Sequence, residues 1–270
     1  MVSNENELMN TLVVIPARSG SKGLPGKNVR PVLNVPLLFW TIYYARTVGF
    51  KTIVVSTDSE IFADVARRYG AETPFLRPAD LSGDDVESAP VVLHAIEYLE
   101  TMGIRKFEHV LLLEPTSPIR RLGLVDEAFS LLNGGSESVV SVQKAGNTHP
   151  NFALQRNDIT GGSHSLLNGR PTLRRQLLEP VFYPDGSLYL SKVKTLREKK
   201  SFYHEGTALL EVSVIESLDI DDVESFSLVE FFISQIVEKP KSQLFNSFGW
   251  MHDAIREQNG GNIRIGENET

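Results

Sequence analysis

The chain of 270 residues contains no cysteine. That excludes disulfides, thiolate metal sites and a cysteine nucleophile, and it suits a reducing, cytoplasmic setting. Positive charge is also in deficit. Lys+Arg number 27 against 34 Asp+Glu, a formal charge of −7, whereas a general nucleic-acid binder needs excess cations for the phosphates. No apolar run approaches the roughly 20 residues of a membrane span. Met1 to Asn10 is polar and acidic, unlike a signal or transit peptide. What remains is an ordinary globular mixture, 41% hydrophobic and 23% charged, sized for one large α/β domain with at most one excursion.

Short apolar runs, the first of them β-branched, alternate with helical stretches along the first half. Leu12–Ile15, Thr52–Val55, His109–Leu113 and Ser138–Val142 read as buried strands, with a shorter one at Thr73–Leu76. Helices are predicted at Leu37–Val48, Glu60–Tyr69, Ser88–Met102 and Leu124–Leu132. In the second of these, Ile61, Val65 and Tyr69 form an apolar stripe, Asp58 or Ser59 is the cap and Gly70 the stop. The alternation implies a parallel sheet covered on both faces, with right-handed crossovers. The rhythm breaks over residues 143–184, where Gly, Asn, Arg and Pro accumulate, as expected of an arm that packs on something else. Strands return at Ser187–Leu190 and Ala208–Val212, followed by a helix at Glu224–Glu238. The resulting plan is a main domain of residues 11–142 and 185–239, an arm of 143–184 and a weakly ordered tail of 240–270.

The loop after the first strand is the sharpest feature. From Arg18 to Arg30 it holds Arg18, Lys22, Lys27 and Arg30 and not one acid, in a chain that is acidic overall. Gly20, Gly23 and Gly26 permit close backbone approach and left-handed turns. Exposed amides beside Lys and Arg make an anion cradle, and open α/β sheets bind ligands at the carboxyl ends of their strands, where this loop lies. The spacing matches neither G-x-G-x-x-G nor G-x-x-x-x-G-K-[ST].

The loop Ile15-Pro-Ala-Arg-Ser-Gly-Ser-Lys-Gly-Leu-Pro-Gly-Lys-Asn28 resembles the signature of the acylneuraminate cytidylyltransferases (CMP-sialic acid synthetases). Collinear blocks extend the resemblance over about residues 11–237: Val55-Ser-Thr-Asp58, Leu76-Arg-Pro-Ala-Asp-Leu81, Pro115-Thr-Ser-Pro-Ile-Arg120, Arg175-Gln176 and Ser217-Leu-Asp-Ile-Asp221. The resemblance implies a Rossmann-like three-layer α/β sandwich with a mostly parallel sheet and a protruding dimerisation arm. It implies CTP and a nonulosonic acid as substrates, CMP-sugar and pyrophosphate as products, and Mg²⁺ as cofactor. By the same analogy Ala17, Arg18, Ser21, Lys22, Lys27 and Asn28 grip the nucleotide, with Lys27, Arg18 and Lys22 catalytic and Lys27 at the α-phosphate. Arg77, Val86 and Ser88 fall in the segment that reads cytosine, although Arg77 could instead form a surface ion pair with Asp80 or Asp84. Asp219 and Asp221 fall on the metal positions, although a lone D-x-D could equally be solvated acids at a helix N-terminus.

The sugar side of the resemblance is Glu114, Arg175, Gln176, Tyr183 and Tyr189, and here the chain departs from the family. Glu114 stands where an amide is usual, and an ionised carboxylate can only accept hydrogen bonds. Tyr183 and Asp185 replace the usual residues ahead of Gly186, and Ser225 stands where a further Asp is common. These changes imply a sugar other than plain N-acetylneuraminate. The resemblance also implies a homodimer with shared active sites, Tyr183 or Tyr189 lying near one of them. His94, His109 and His149 read as structural, and Trp40, Tyr43 and Tyr44 as core. Two rivals are an enzyme activating the eight-carbon acid Kdo and a glycosyltransferase using Asp219 and Asp221 as its metal pair. A third is a nucleotide-binding regulator without turnover.

Overall fold

A computed structural model describes residues 4–158, 161–167 and 174–260. A short helix, α1 (Glu5–Met9), leads into β1 (Thr11–Pro16). After the basic loop come the hairpin β2 (Pro31–Val32) and β3 (Val35–Pro36), then α2 (Leu37–Val48), β4 (Thr52–Ser56), α3 (Glu60–Arg68) and α4 (Ser88–Thr101). The chain continues through β5 (His109–Leu112), α5 (Leu124–Asn133) and β6 (Ser138–Lys144) into the arm. The arm carries a ribbon of β7 (Leu154–Arg156) and β8 (Ser163–Ser165) and returns as β9 (Phe182–Lys192). Then follow α6 (Val193–Lys199), β10 (Thr207–Glu211), α7 (Val223–Glu238) and α8 (Trp250–Gln258).

The main sheet has six strands in the order β10-β6-β9-β5-β1-β4. Alternation along β1 builds the three layers. Val13 and Ile15 face the layer formed by α2, α3, α5, α7 and α8, while Leu12 and Val14 face α4 and α6. The expected strands β1, β4, β5, β6 and β10 run parallel to their like neighbours. The exception is β9, which lies between β5 and β6 and is antiparallel to both. Its direction follows from the arm: the chain leaves the carboxyl end of β6 and re-enters there, with Phe182 opposite Lys144, so no crossover helix intervenes to turn it round.

Two local expectations need correction, and one open alternative is resolved. Residues 73–76 form no strand; a single parallel bridge between Val54 and Glu72 is the remnant. In α3 the buried face is Phe62, Ala63 and Ala66, because the helix packs on α2 and the Lys27–Val29 turn; Ile61 is left 71% exposed. Of the two candidate caps, Ser59 is the one that caps α3, accepting from the Phe62 amide.

The tail is the largest departure. Residues 240–260 are ordered by burial, with Phe245, Phe248, Trp250, Met251 and Ala254 all in the core. Trp250 stacks on Tyr43 at 6.2 Å, meets Trp40 and Tyr44 edge-on or tilted, and donates its indole N–H to the Arg120 carbonyl at 2.8 Å. The aromatic face of α2 needed a cover, and α8 supplies it. Residues 261–270 lie outside the described residues. Among the histidines, His149 is buried and its ring spans the Asn151 amide and the Glu179 carbonyl.

Candidate active site

The carboxyl ends of β1, β4 and β5 open into a cleft of about 220 Å³. Its walls include Arg18, Ser21, Lys27 and Asn28 from the basic loop, Arg77, Val86 and Ser88 from the β4–α4 side, and Glu114, Asp219 and Asp221 opposite. The structure thus brings together most of the residues expected to hold a nucleotide. Ala17 is buried behind the cleft, its amide bound to the Ser56 carbonyl at 2.9 Å, and Lys22 projects beside the opening with its side chain 82% exposed.

The loop keeps its shape through specific contacts. Gly26 turns the chain with φ of 70°, and the single helical turn Lys27–Val29 starts at once. Gly23 has a different task. A Cβ there would lie 2.2 Å from the backbone carbonyl oxygen of Asp221, so only glycine lets the loop touch the acidic segment ahead of α7. Gly20 has neither constraint, with nothing within 4 Å of its would-be Cβ. Asp58 pins the loop from behind, accepting from the Ser19 amide at 2.7 Å and the Ser19 hydroxyl at 2.9 Å. Burial opposes its charge, but these bonds outweigh that and hold its carboxyl below the usual range.

Lys27 reaches across the cleft. Its Nζ donates to the Ile220 carbonyl and lies 3.4 Å from Asp221 Oδ1. Asn28 is buried; its Nδ2 donates to the Arg18 carbonyl, while its Oδ1 has no partner among the described residues. Arg77 forms no surface ion pair with Asp80 or Asp84. It is buried, with Nε on the Ser56 hydroxyl at 3.1 Å and Nη2 on the Ser56 carbonyl. Burial lowers its pKa to about 10, so it remains a cation at neutral pH.

The opposite wall rests on Ser117 and Arg120, which the sequence shows only as members of the Pro-Thr-Ser-Pro-Ile-Arg block. The Ser117 hydroxyl sits 2.9 Å from both Asp219 Oδ1 and the Asp185 carbonyl. Arg120 is entirely buried and donates to the Ser187 carbonyl, the Thr41 hydroxyl and the Glu114 carbonyl. Gly186, at φ of 82°, leaves room for Ser117, whose hydroxyl would stand 2.6 Å from a Cβ. Asp185 is a structural acid: it accepts from the Ser141 and Ser187 hydroxyls, and burial raises its pKa.

Glu114 is the unusual group. Burial, then the Asp219 charge, pushes its carboxyl up to about 7, with only a 3.4 Å contact from Ser88 in support. Folding therefore favours the protonated form, and stability drains as pH climbs from the ordinary carboxylate range through about 7. Glu114→Gln removes that loss. Measured without divalent cation, its melting temperature should gain on wild type steadily from about pH 5 to about pH 8; parallel pH curves would show a solvated carboxylate instead.

The other residues expected at the sugar do not line the cleft. Tyr189 is buried against Phe202 and accepts from the Tyr203 hydroxyl at 3.4 Å. Tyr183 donates to the Thr148 carbonyl on the arm. Gln176 lines a separate hollow with Lys144, His149 and Glu179. The Arg175 side chain lies outside what is described.

Among the described residues no three His, Cys, Asp or Glu side chains converge as a ready metal cluster, and no helix is long and apolar enough to cross a membrane.

The cytidylyltransferase family profile matches residues 12–107. The CMP-N,N′-diacetyllegionaminic acid synthase of Legionella pneumophila is 38% identical over 82% of this chain and 95% of its own. The N-acylneuraminate cytidylyltransferase of Streptococcus agalactiae is 29% identical over 97% of this chain, which spans 62% of that longer protein. A solved CMP:2-keto-3-deoxy-manno-octonic acid synthetase, complexed with CTP, superposes with a TM-score of 0.60 at 14% identity, covering 83% of this chain and 98% of its own; it shares the fold. With the order of strands, the cleft at their carboxyl ends and this identity over nearly a whole relative, the chain belongs to the cytidylyltransferase family.

Proposed function

We propose that this protein transfers the cytidylyl group of CTP to a nonulosonic acid, releasing pyrophosphate. One observation carries the reading. The acid-free basic loop faces the Asp219–Asp221 pair across a single cleft, with Lys27 Nζ 3.4 Å from Asp221 Oδ1. The anomeric hydroxyl of the sugar acid attacks the α-phosphorus in line as the bond to pyrophosphate breaks. The protein's part is positioning and charge. Lys27 neutralises the α-phosphate, Arg18 and Lys22 take the outer phosphates, and the free Asn28 acceptor is open to a donor on the nucleotide. The buried Arg77, fixed by Ser56, sets the wall along which Val86 and Ser88 meet the base.

Asp219 and Asp221 fit a hard divalent cation, because two carboxylates leave the rest of its shell to water and phosphate oxygens. Mg²⁺ there would spread the charge that builds on the phosphates. Ser117 holds Asp219 in place for this role, and Asp221, now beside Lys27, would be the second carboxylate to hold the cation.

The acceptor sugar belongs to the legionaminate or pseudaminate group. Glu114, in place of an amide, and the higher identity to the legionaminic acid synthase favour it over N-acetylneuraminate. The arm supports a homodimer with shared sites, since Leu154, Leu166, Leu167 and Leu177 are each more than half exposed. A cytoplasmic location goes with the cysteine-free composition. The test is incubation with CTP, Mg²⁺ and a panel of nonulosonic acids, with the products weighed and pyrophosphate counted. CMP-sugar should form fastest with a diacetylated acid, from a protein that sediments as a dimer. A clear preference for N-acetylneuraminate would refute the substrate assignment, and a monomer the shared site.

A further inference from the structure

Arg18 and Lys22 converge on one carboxylate. Asp84 places Oδ1 against Arg18 Nη1 and Oδ2 against Lys22 Nζ. It lines the same cleft as Lys27, Asn28 and Asp221. Its loop also carries Val86 and runs into Ser88, so this contact ties the wall assigned to the base onto the loop assigned to the phosphates. The arrangement is that of a phosphate group: two anionic oxygens, one on each cation. Asp85 and Glu87 belong to the same acidic loop but do not line the cleft. Both cations hold the Asp84 carboxyl below its ordinary range.

We propose that Asp84 is a built-in counter-ion, which the outer phosphates of the nucleotide displace from Arg18 and Lys22 and which recaptures both cations as pyrophosphate leaves. This rests on the cytidylyltransferase reading above. A carboxylate and a phosphate cannot share the space between those two cations without like-charge repulsion, so occupation by one weakens the other. The exchange runs both ways because the contacts are unequal. A phosphate brings more charge and more acceptors than a carboxylate, and arginine can meet it through two parallel bonds, so it wins on arrival. Partly exposed ion pairs are individually weak, so Asp84 does not block entry. On departure the waiting carboxylate lowers the affinity of the cradle for the product. Asp84 thus acts through Arg18 and Lys22 and touches no reacting atom: it is a positioning residue for product release. The chain's own acid takes the role that bulk counter-ions would otherwise play, without a solute having to diffuse in.

The test is calorimetric titration of inorganic pyrophosphate into the full chain, with no sugar acid present, for wild type, Asp84→Asn and Asp85→Asn. The two variants change net charge equally, but only the first changes the contact. Asp84→Asn should bind pyrophosphate roughly threefold to tenfold more tightly, two weak ion pairs being lost as competitors. Its product-inhibition constant for pyrophosphate should fall by the same factor, while Asp85→Asn stays at wild type. Equal tightening in both variants would reduce the effect to general charge and overturn the proposal. So would unchanged or weaker binding by Asp84→Asn with an unchanged melting temperature. If wild type binds neither CTP nor pyrophosphate, the cytidylyltransferase reading itself falls, and this proposal with it.

Discussion

Lys27→Ala should lower kcat with CTP by about 10²- to 10³-fold while leaving the chain folded, the usual cost of removing one preorganised charge from a developing anion. Lys27 is well placed for that effect because it is held without being buried beyond use. The turn at Gly26 aims it, and the Ile220 carbonyl and Asp221 keep its ammonium over the cleft. Asp221 is 83% exposed, so water can answer it when the lysine is gone. The expected signature is a drop in kcat larger than any rise in KM, with a melting temperature near wild type. Lys27→Arg should rescue little: a planar fork on a longer stem cannot replace a compact ammonium against both partners. Turnover of Lys27→Ala within a few-fold of wild type would remove this residue from the chemistry.

Gly23→Ala should cost on the order of 10²-fold in kcat/KM, the scale of a displacement of about 1 Å in a catalytic group. One methyl group is enough because its neighbour is backbone. The Cβ would stand 2.2 Å from the Asp221 carbonyl oxygen and 3.3 Å from its carbon, and neither can rotate away. The loop must lift, which moves Lys27 relative to Asp219 and Asp221 without removing any of them. Gly20→Ala is the matched control: its Cβ meets nothing within 4 Å and its activity should stay near wild type. Equal activity in the two variants would show that the loop relaxes freely and that its contact with the Asp221 backbone does not set the site.

Those two glycines look alike in the sequence and differ in the structure, which shows where sequence reading stops. A parallel-sheet architecture was legible because buried strands are short apolar runs: β1, β4 and β6 are β-branched and buried, β5 is apolar and buried, and the edge strand β10 shows only a short apolar run. Helix α2 was legible as a long apolar run, and α4 because Val92, Ile96 and Leu99 recur at helical spacing. In α3 the same rule chose Ile61 over Phe62, since periodicity marks a face and not the neighbour it packs against. The tail escaped because Trp250 has no local partner; its contacts are on α2, about two hundred residues earlier. In the site, the cations and the acid pair stood out as local charge patterns. Asp58 stood out only as a possible helix cap, Arg120 appeared only inside a motif, and Asp84 only as a possible surface partner for Arg77. Each acquires its function from a contact across the fold.

The sequence by itself determined the ingredients: an α/β chain without cysteine, a loop with cations and no acid, and two aspartates ahead of the last long helix. Those follow from composition and spacing, which are local. Only the tertiary structure decided that β9 runs against its neighbours, that α8 closes the aromatic face of α2, and that Lys27 meets Asp221 where Gly23 leaves room. Packing and like-charge exclusion act between residues distant in the chain, so their outcome is written in no single stretch of it.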